Sequence, residues 1–518
     1  MLTTLQKLDD GRMTDRLMGW IVTVSITAFA FLLRVVNLGR PEKLIFDETY
    51  YAKDAYALLK FGYEREWPDS KIANPQVVAG TPDIMTDSPE FMVHPPLGKW
   101  LIAVGEHLFG MNSFGWRFMA CVFGALLVFL TIRLARRLSR STLIGGIAGL
   151  LLTFDGLAFT MSRIALLDIF QATFAVAAVC CVVADRDWFR HKLADHLRAQ
   201  GLVDLDGAYG PLLLWRPWRL LAGVMFGLSM ACKWNTMYVI AVFGIVSVVW
   251  DVQSRRLAGA DRRAWWSLLR DAPAAFVYLV VVAIPVYLAS WAGWLYTTGG
   301  WGRDFGVKNP DHPLVKAIGG PLASLWNYHV KIYEFHTSEN TLTWTHPYEA
   351  NPAGWLVMAR PIGLDAQNGI NPGEQGCEAV GTTCLRVISG MGTPLLWWLA
   401  AAALVAGLWW WLSGKDWRFS VPVLATLSVW LPWFQYTGRP LFFFYAIMII
   451  PFTVTGLALA LGKILGPADA PDRARRAVIV GSSIALIVFN FAFIYPVLTD
   501  ELLTRPQWLA RMWFGTWI

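Results

Sequence analysis

A chain of 518 residues that is 56% hydrophobic and only 16% charged, with 28 Trp, carries more apolar surface than a soluble fold of its size could bury; this makes it an integral membrane protein. The formal charge of +7 would suggest nucleic acid in a soluble protein. No P-loop, no Gly-rich fingerprint after a strand and no basic aromatic RNA-binding surface accompanies it, which excludes a nucleic-acid partner and argues against a soluble nucleotide-sugar donor.

The first 16 residues are polar and mildly basic, and the apolar run after them lacks a small-residue cleavage site, as in a retained anchor. Apolar runs predict an all-α fold of about 11 spans, near 17–37, 112–132, 143–160, 164–184, 219–232, 236–251, 273–296, 394–413, 419–434, 441–462 and 477–497. An odd number puts the termini on opposite sides. With the N-terminus cytoplasmic, the inner loops 1–16, 133–142, 185–218, 252–272, 414–418 and 463–476 carry Lys and Arg at more than twice the density of the outer segments. Short clusters such as Arg133/Arg136/Arg137/Arg140 and Arg473/Arg475/Arg476 then read as topology determinants and anionic-lipid contacts. The reading is one multi-pass domain over 1–518 in the cell membrane, C-terminus extracytoplasmic, with outer segments 38–111 and 297–393.

Arg34 stands near the outer end of the first span, placed either to snorkel or to reach a polar cavity. In Phe46-Asp47-Glu48 two adjacent carboxylates open an amphipathic helix whose stripe is Tyr51, Ala55, Leu58, Leu59 and Gly62. Neighbouring helical side chains diverge by about 100°, so the two acids cannot share one task. Asp47 is either an N-cap or a reactive carboxylate. His94-Pro95-Pro96-Leu97-Gly98-Lys99 opens a second outer helix running to about Phe109, where His94, Lys99 and a helix N-terminus suit an anion such as phosphate.

Arg117 falls one turn into the second span and Lys233 between two spans; a cation there must pair or face water. Asp155 and Asp168 flank an outer turn with Arg163, either as functional groups or as a buried ion pair. The second outer segment holds His329, His336 and His346, but no HExxH or DxD spacing, so no metal is expected and the segment reads as an aromatic cap over the site. Cys377 and Cys384, seven residues apart outside the membrane, are expected to form a disulfide, with the other four cysteines as apolar fillers. Arg439, in a short outer loop before Phe442-Phe443-Phe444-Tyr445, adds an outer-face cation, and the tail from Gln507 reads as an interfacial helix with Trp508, Met512 and Trp517.

Together Phe46-Asp47-Glu48, His94 to Lys99, Ser162 to Asp168, Cys232-Lys233-Trp234, the stretch Glu334 to Pro361 and Arg439-Pro440 before the aromatic run resemble the protein O-mannosyltransferases, GT-C class membrane glycosyltransferases that use polyprenyl-phosphate mannose. The resemblance covers nearly the whole chain. It implies Asp47 as catalytic base, Glu48 in acceptor or sugar positioning, and Arg34 and Arg117 as donor-pocket cations. By their placement, His94, Lys99, Lys233 and Arg439 are expected to help hold the donor phosphate or sugar. The resemblance also implies a lipid-linked mannose donor, a secreted protein acceptor, inversion at the sugar and no metal or other cofactor. A segment of about 97 residues at 297–393 leaves no room for the β-trefoil domain of eukaryotic members, so the chain looks like a bacterial one. FDE before a Pro-rich helix start also looks like lipid-linked aminosugar transferases of the same class. A transporter would show matching interrupted helices in two halves, and none is seen.

Overall fold

The computed structural model describes residues 3–8 and 15–518; the rest of the expected inner stretch 1–16 lies outside them. Among these residues seven helices are long and apolar enough to cross a membrane: Arg16–Val35, Ser113–Ser139, Asp168–Gln200, Thr236–Leu257, Asp261–Ser290, Pro394–Leu412 and Arg473–Leu498. The other four expected spans are shorter or broken. Residues 143–160 divide into Thr142–Thr153 and Gly156–Met161, and 219–232 is the 14-residue helix Pro217–Met230. The last two combine an α-helix with a 3-10 turn, Ser420–Trp430 running into Leu431–Tyr436 and Phe443–Met448 into Ile450–Leu465. Pro432 and Pro451 stand at those changes, where a missing N–H interrupts the α ladder.

Asp168–Gln200 is the central helix. Its apolar window is 89% buried, against 22% for Arg16–Val35 and 17% for Asp261–Ser290. At one end of the bundle Arg216 and Arg219 each bridge Asp185 and Asp251, at N–O distances of 2.6–3.2 Å, tying three helices together with four buried charges that cancel. Leu8, from the short helix Thr4–Leu8, packs at that same end against Phe189, Leu193 and Leu197.

The opposite end carries the long connecting segments. Helix Glu48–Phe61 packs against Leu97–Phe109. Of its expected stripe, Tyr51, Ala55 and Leu58 are buried, but Leu59 is 39% exposed and Gly62 is the helix C-cap, its φ of 77° explaining why glycine stands there. The second segment, led by helix Gly320–Thr337, departs from an all-helical reading in one place: β1 (Ile362–Ile370), β2 (Cys384–Gly390) and β3 (Leu502–Thr504) form an antiparallel sheet in that order. The Cys377–Cys384 disulfide closes the β1–β2 connection. Because β3 comes from beyond the last span, the tail folds onto this segment instead of lying free at an interface: Arg360 donates to the carbonyls of Thr516 and Ile518, and Trp517 to that of Met358 at 2.9 Å.

Candidate active site

Asp47 occupies the N-cap position of helix Glu48–Phe61 with helical backbone angles, and its side chain caps nothing. That frees the carboxylate. It lies within electrostatic reach of Lys233 and Asp168; burial first, then Asp168, push its pKa up to about 6 against the pull of Lys233. A carboxyl so poised is a base at neutral pH that takes a proton more readily than a solvated aspartate.

Glu48 points away from it, fully buried. Its two oxygens accept a fork from Arg117, Nε and Nη2 each at 2.8 Å, and also the backbone N–H groups of Ile45 and Ala165 at 3.0 Å. The remaining Arg117 donors reach the carbonyls of Leu38, Pro41 and Lys43 at 2.9–3.3 Å. All five guanidinium hydrogens are used. The pair thus latches the loop that presents Asp47.

Arg34 is engaged in the same way, by Ser162 Oγ and the carbonyls of Ala30, Leu152 and Thr153. Lys99 is buried with Glu64 and, at 3.8 Å, Asp54. Arg34, Lys99 and Arg117, expected as donor cations, thus each have protein acceptors for partners, and none of the three lines the cavity described next. Arg163 makes no ion pair with Asp155 or Asp168; it donates to the carbonyls of Arg34, Val36 and Asn37. Asp155 instead pins the broken third span, accepting from Ala158 N at 2.8 Å, Thr393 N at 3.3 Å and Trp397 Nε1 at 2.7 Å.

A cavity of about 200 Å³ is lined by the other expected cations, His94, Lys233 and Arg439, with Asp168, His336, Tyr333, Trp433 and Tyr445. Lys233 Nζ donates to both oxygens of Asp168 at 2.8–2.9 Å and sits 5.2 Å from the Tyr445 ring centre. Burial opposes its charge, but Asp168 and Tyr445 hold its pKa above the ordinary lysine range. Arg439 Nη1 donates to His336 Nδ1 at 3.2 Å, while its buried Nε has no partner. His94 lies 5.7 Å from His336, and burial followed by the nearby cations drives its pKa well down. His336 is lowered to about 4 by burial and then Arg439. Both rings are neutral at pH 7, which leaves Lys233 and Arg439 as the cavity's positive charges.

Asp168 and His336 were visible in the sequence without a place in the site. His329, His336 and His346 do not converge: His329 Nε2 meets Tyr287 Oη at 2.7 Å, and His346 Nδ1 accepts from Tyr348 N at 3.1 Å. No group of three or more His, Cys, Asp and Glu side chains among the described residues could hold a metal ion.

Among solved structures, the Saccharomyces cerevisiae protein O-mannosyltransferase Pmt1-Pmt2 complex bound to the sugar donor superposes with a TM-score of 0.71 at 12% identity, over 99% of this chain and 94% of that one. ArnT from Cupriavidus metallidurans bound to undecaprenyl phosphate follows at a TM-score of 0.50 and 14% identity, over 93% and 76% of the two chains. The fold is that of the GT-C membrane glycosyltransferases. In sequence, the profile of dolichyl-phosphate-mannose–protein mannosyltransferases matches residues 24–296. Polyprenol-phosphate-mannose–protein mannosyltransferases of Mycolicibacterium smegmatis (strain MKD8) and Mycobacterium tuberculosis (strain CDC 1551 / Oshkosh) are each 36% identical, over 97% of this chain and 94% and 92% of theirs. That of Corynebacterium glutamicum is 32% identical over 95% of this chain and 91% of its own. The chain belongs to the dolichyl-phosphate-mannose–protein mannosyltransferase family and is a glycosyltransferase.

Proposed function

We propose that the protein transfers mannose from polyprenyl-phosphate mannose to Ser or Thr hydroxyls of secreted, unfolded or translocating proteins, at the extracytoplasmic face of the cell membrane and with inversion. The donor and the protein acceptor are those in the names of its mycobacterial and corynebacterial relatives. The observation that carries the chemistry is the pairing of an uncapped, partly buried Asp47 with a cavity whose Arg439 retains an unused buried donor.

In this mechanism the acceptor oxygen attacks the anomeric carbon, its proton passes to Asp47, and the bond from that carbon to the phosphate oxygen breaks. A β-linked donor then gives an α-linked product. The leaving group is already a phosphate, so stabilising its charge replaces general-acid catalysis. Lys233 and Arg439 supply that stabilisation, and no metal is required. Glu48 acts indirectly, through the Arg117 latch that presents Asp47. For orientation we take the N-terminus as cytoplasmic and the C-terminus as extracytoplasmic. Two things support this: the basic inner loops, and the packing of residues 4–8 and of the tail at opposite ends of the bundle.

Purified protein given polyprenyl-phosphate mannose labelled in the sugar should move label to a Ser/Thr-rich peptide. Label appearing only on a lipid acceptor would favour the lipid-modifying alternative, and no transfer to either would refute the proposal.

A further inference from the structure

We propose that His336 is a positioning residue that aims Arg439 at the donor phosphate, with the lone pair of its neutral ring as the aiming contact. This rests on reading Arg439 as a phosphate cation. His336 stands in the last turn of helix Gly320–Thr337, with Nε2 3.2 Å from the Val93 carbonyl and Nδ1 3.2 Å from Arg439 Nη1. A carbonyl only accepts, so Nε2 carries the ring proton. Nδ1 must then accept, which suits a guanidinium that can only donate. With both nitrogens committed, the ring has no proton to exchange with substrate and acts through Arg439.

Arg439 needs such a partner more than Arg34 or Arg117 does. It sits in a short loop beside Gly438, and His336 is the protein group that its guanidinium hydrogen-bonds among the described residues. Arg117, by contrast, is fixed by five acceptors. One contact on Nη1 sets the direction of the guanidinium plane while Nε and the outer N–H groups stay available. Through Val93 the same ring ties this loop to the segment leading into His94, so three elements around the cavity share one hinge of two hydrogen bonds.

The test compares His336→Asn, His336→Gln and His336→Leu in the full chain, with Arg439→Ala and the His336→Leu/Arg439→Ala double variant, in peptide mannosylation at varied donor and acceptor. An Asn amide reaches the Nδ1 position and preserves the contact to Arg439; a Gln amide reaches the Nε2 position and preserves the contact to Val93. His336→Leu and His336→Gln should raise the donor KM about 10-fold, toward Arg439→Ala, with the acceptor KM unmoved. His336→Asn should recover most of that loss, and the double variant should be no worse than Arg439→Ala alone. Size-exclusion profiles confirm folding, and if the Leu variant does not fold, the Asn–Gln comparison decides. Rescue by Gln and not Asn, equal behaviour of all three, or additivity in the double variant would overturn the proposal. So would an unchanged donor KM in Arg439→Ala. In each case an active wild-type enzyme leaves the mannosyltransferase reading standing, whereas an inactive wild type would refute that reading itself.

Discussion

Asp47 is held at the expense of the fold, and replacing it by Asn should show this. Its pKa rises from 3.8 to about 6 in the folded protein, a gap of two units. At about 1.4 kcal/mol per unit this is about 3 kcal/mol against the folded state once the group ionises, and partial exposure reduces it to roughly 1–3 kcal/mol. The sign follows from proton binding: between pH 3.8 and about 6 the folded chain holds this proton more tightly than the unfolded one, so stability falls across that window. Asp47→Asn should therefore melt higher than wild type at pH 7.5 and lose most of its advantage by pH 4.5. Turnover should drop by about 10²-fold or more, since Asn cannot accept the proton. Wild-type kcat/KM should fall about tenfold per pH unit below about 6. Melting profiles at the two pH values, with initial rates of peptide mannosylation at saturating donor, provide the check. An Asn variant that keeps more than about a third of wild-type turnover would remove Asp47 as the base. An N-cap role predicts instead that Asp47→Ala loses about 1 kcal/mol of stability while Asn does not, an outcome at odds with the uncapped geometry.

Arg117→Ala should abolish a monodisperse size-exclusion peak instead of merely raising the donor KM, because it strands buried Glu48 and three loop carbonyls; breaking such a pair costs about 3–5 kcal/mol. Arg117→Lys should not restore it, as one ammonium cannot reproduce the five-donor fork. Lys233→Ala removes the cation that restrains Asp47's pKa and leaves Asp168 unpaired, so the acidic limb of the pH–rate profile should move above pH 6 and the donor KM should rise. Activity should survive EDTA; full loss on chelation, restored by a divalent ion, would contradict phosphate binding by Lys233 and Arg439 alone. Cys377→Ser or Cys384→Ser should cost about 2–3 kcal/mol of local stability with activity retained, since the bridge closes a short loop at the sheet and not the cavity.

The bundle was legible because a membrane leaves helices little choice: about 20 apolar residues with no outside partner for the backbone must hydrogen-bond internally. Three spans came out broken where Pro or Asp interrupts the run, at Asp155, Pro432 and Pro451, and a fourth is short because its helix, opened by Pro217, ends at Met230. The sheet left a fainter trace. Ile362, Leu364, Ala366 and Ile370 alternate with period 2, but inside an outer segment rich in Gly and Asn such a pattern is too brief to separate from a loop, and its third strand lies over a hundred residues away.

The site was harder to read for a different reason. Sequence position could bring Arg34, Arg117 and Arg439 to the outer face, but it could not show which of them had donors left, because what consumes an arginine is mostly backbone carbonyl, and carbonyls carry no sequence signature. Arg117 meets three of them and Arg34 three, all but that of Ala30 presented by irregular chain or a helix end. Arg439 meets a histidine and keeps a buried Nε unpaired. The same rule separates the acids. Glu48 and Asp155 have their oxygens taken by N–H groups and serve the scaffold, whereas Asp47, with no capping bond, stays free for a proton. What sets Arg439 and Asp47 apart from Arg34, Arg117, Glu48 and Asp155 is the number of hydrogen-bonding positions left unused, and that number exists only once the chain has folded.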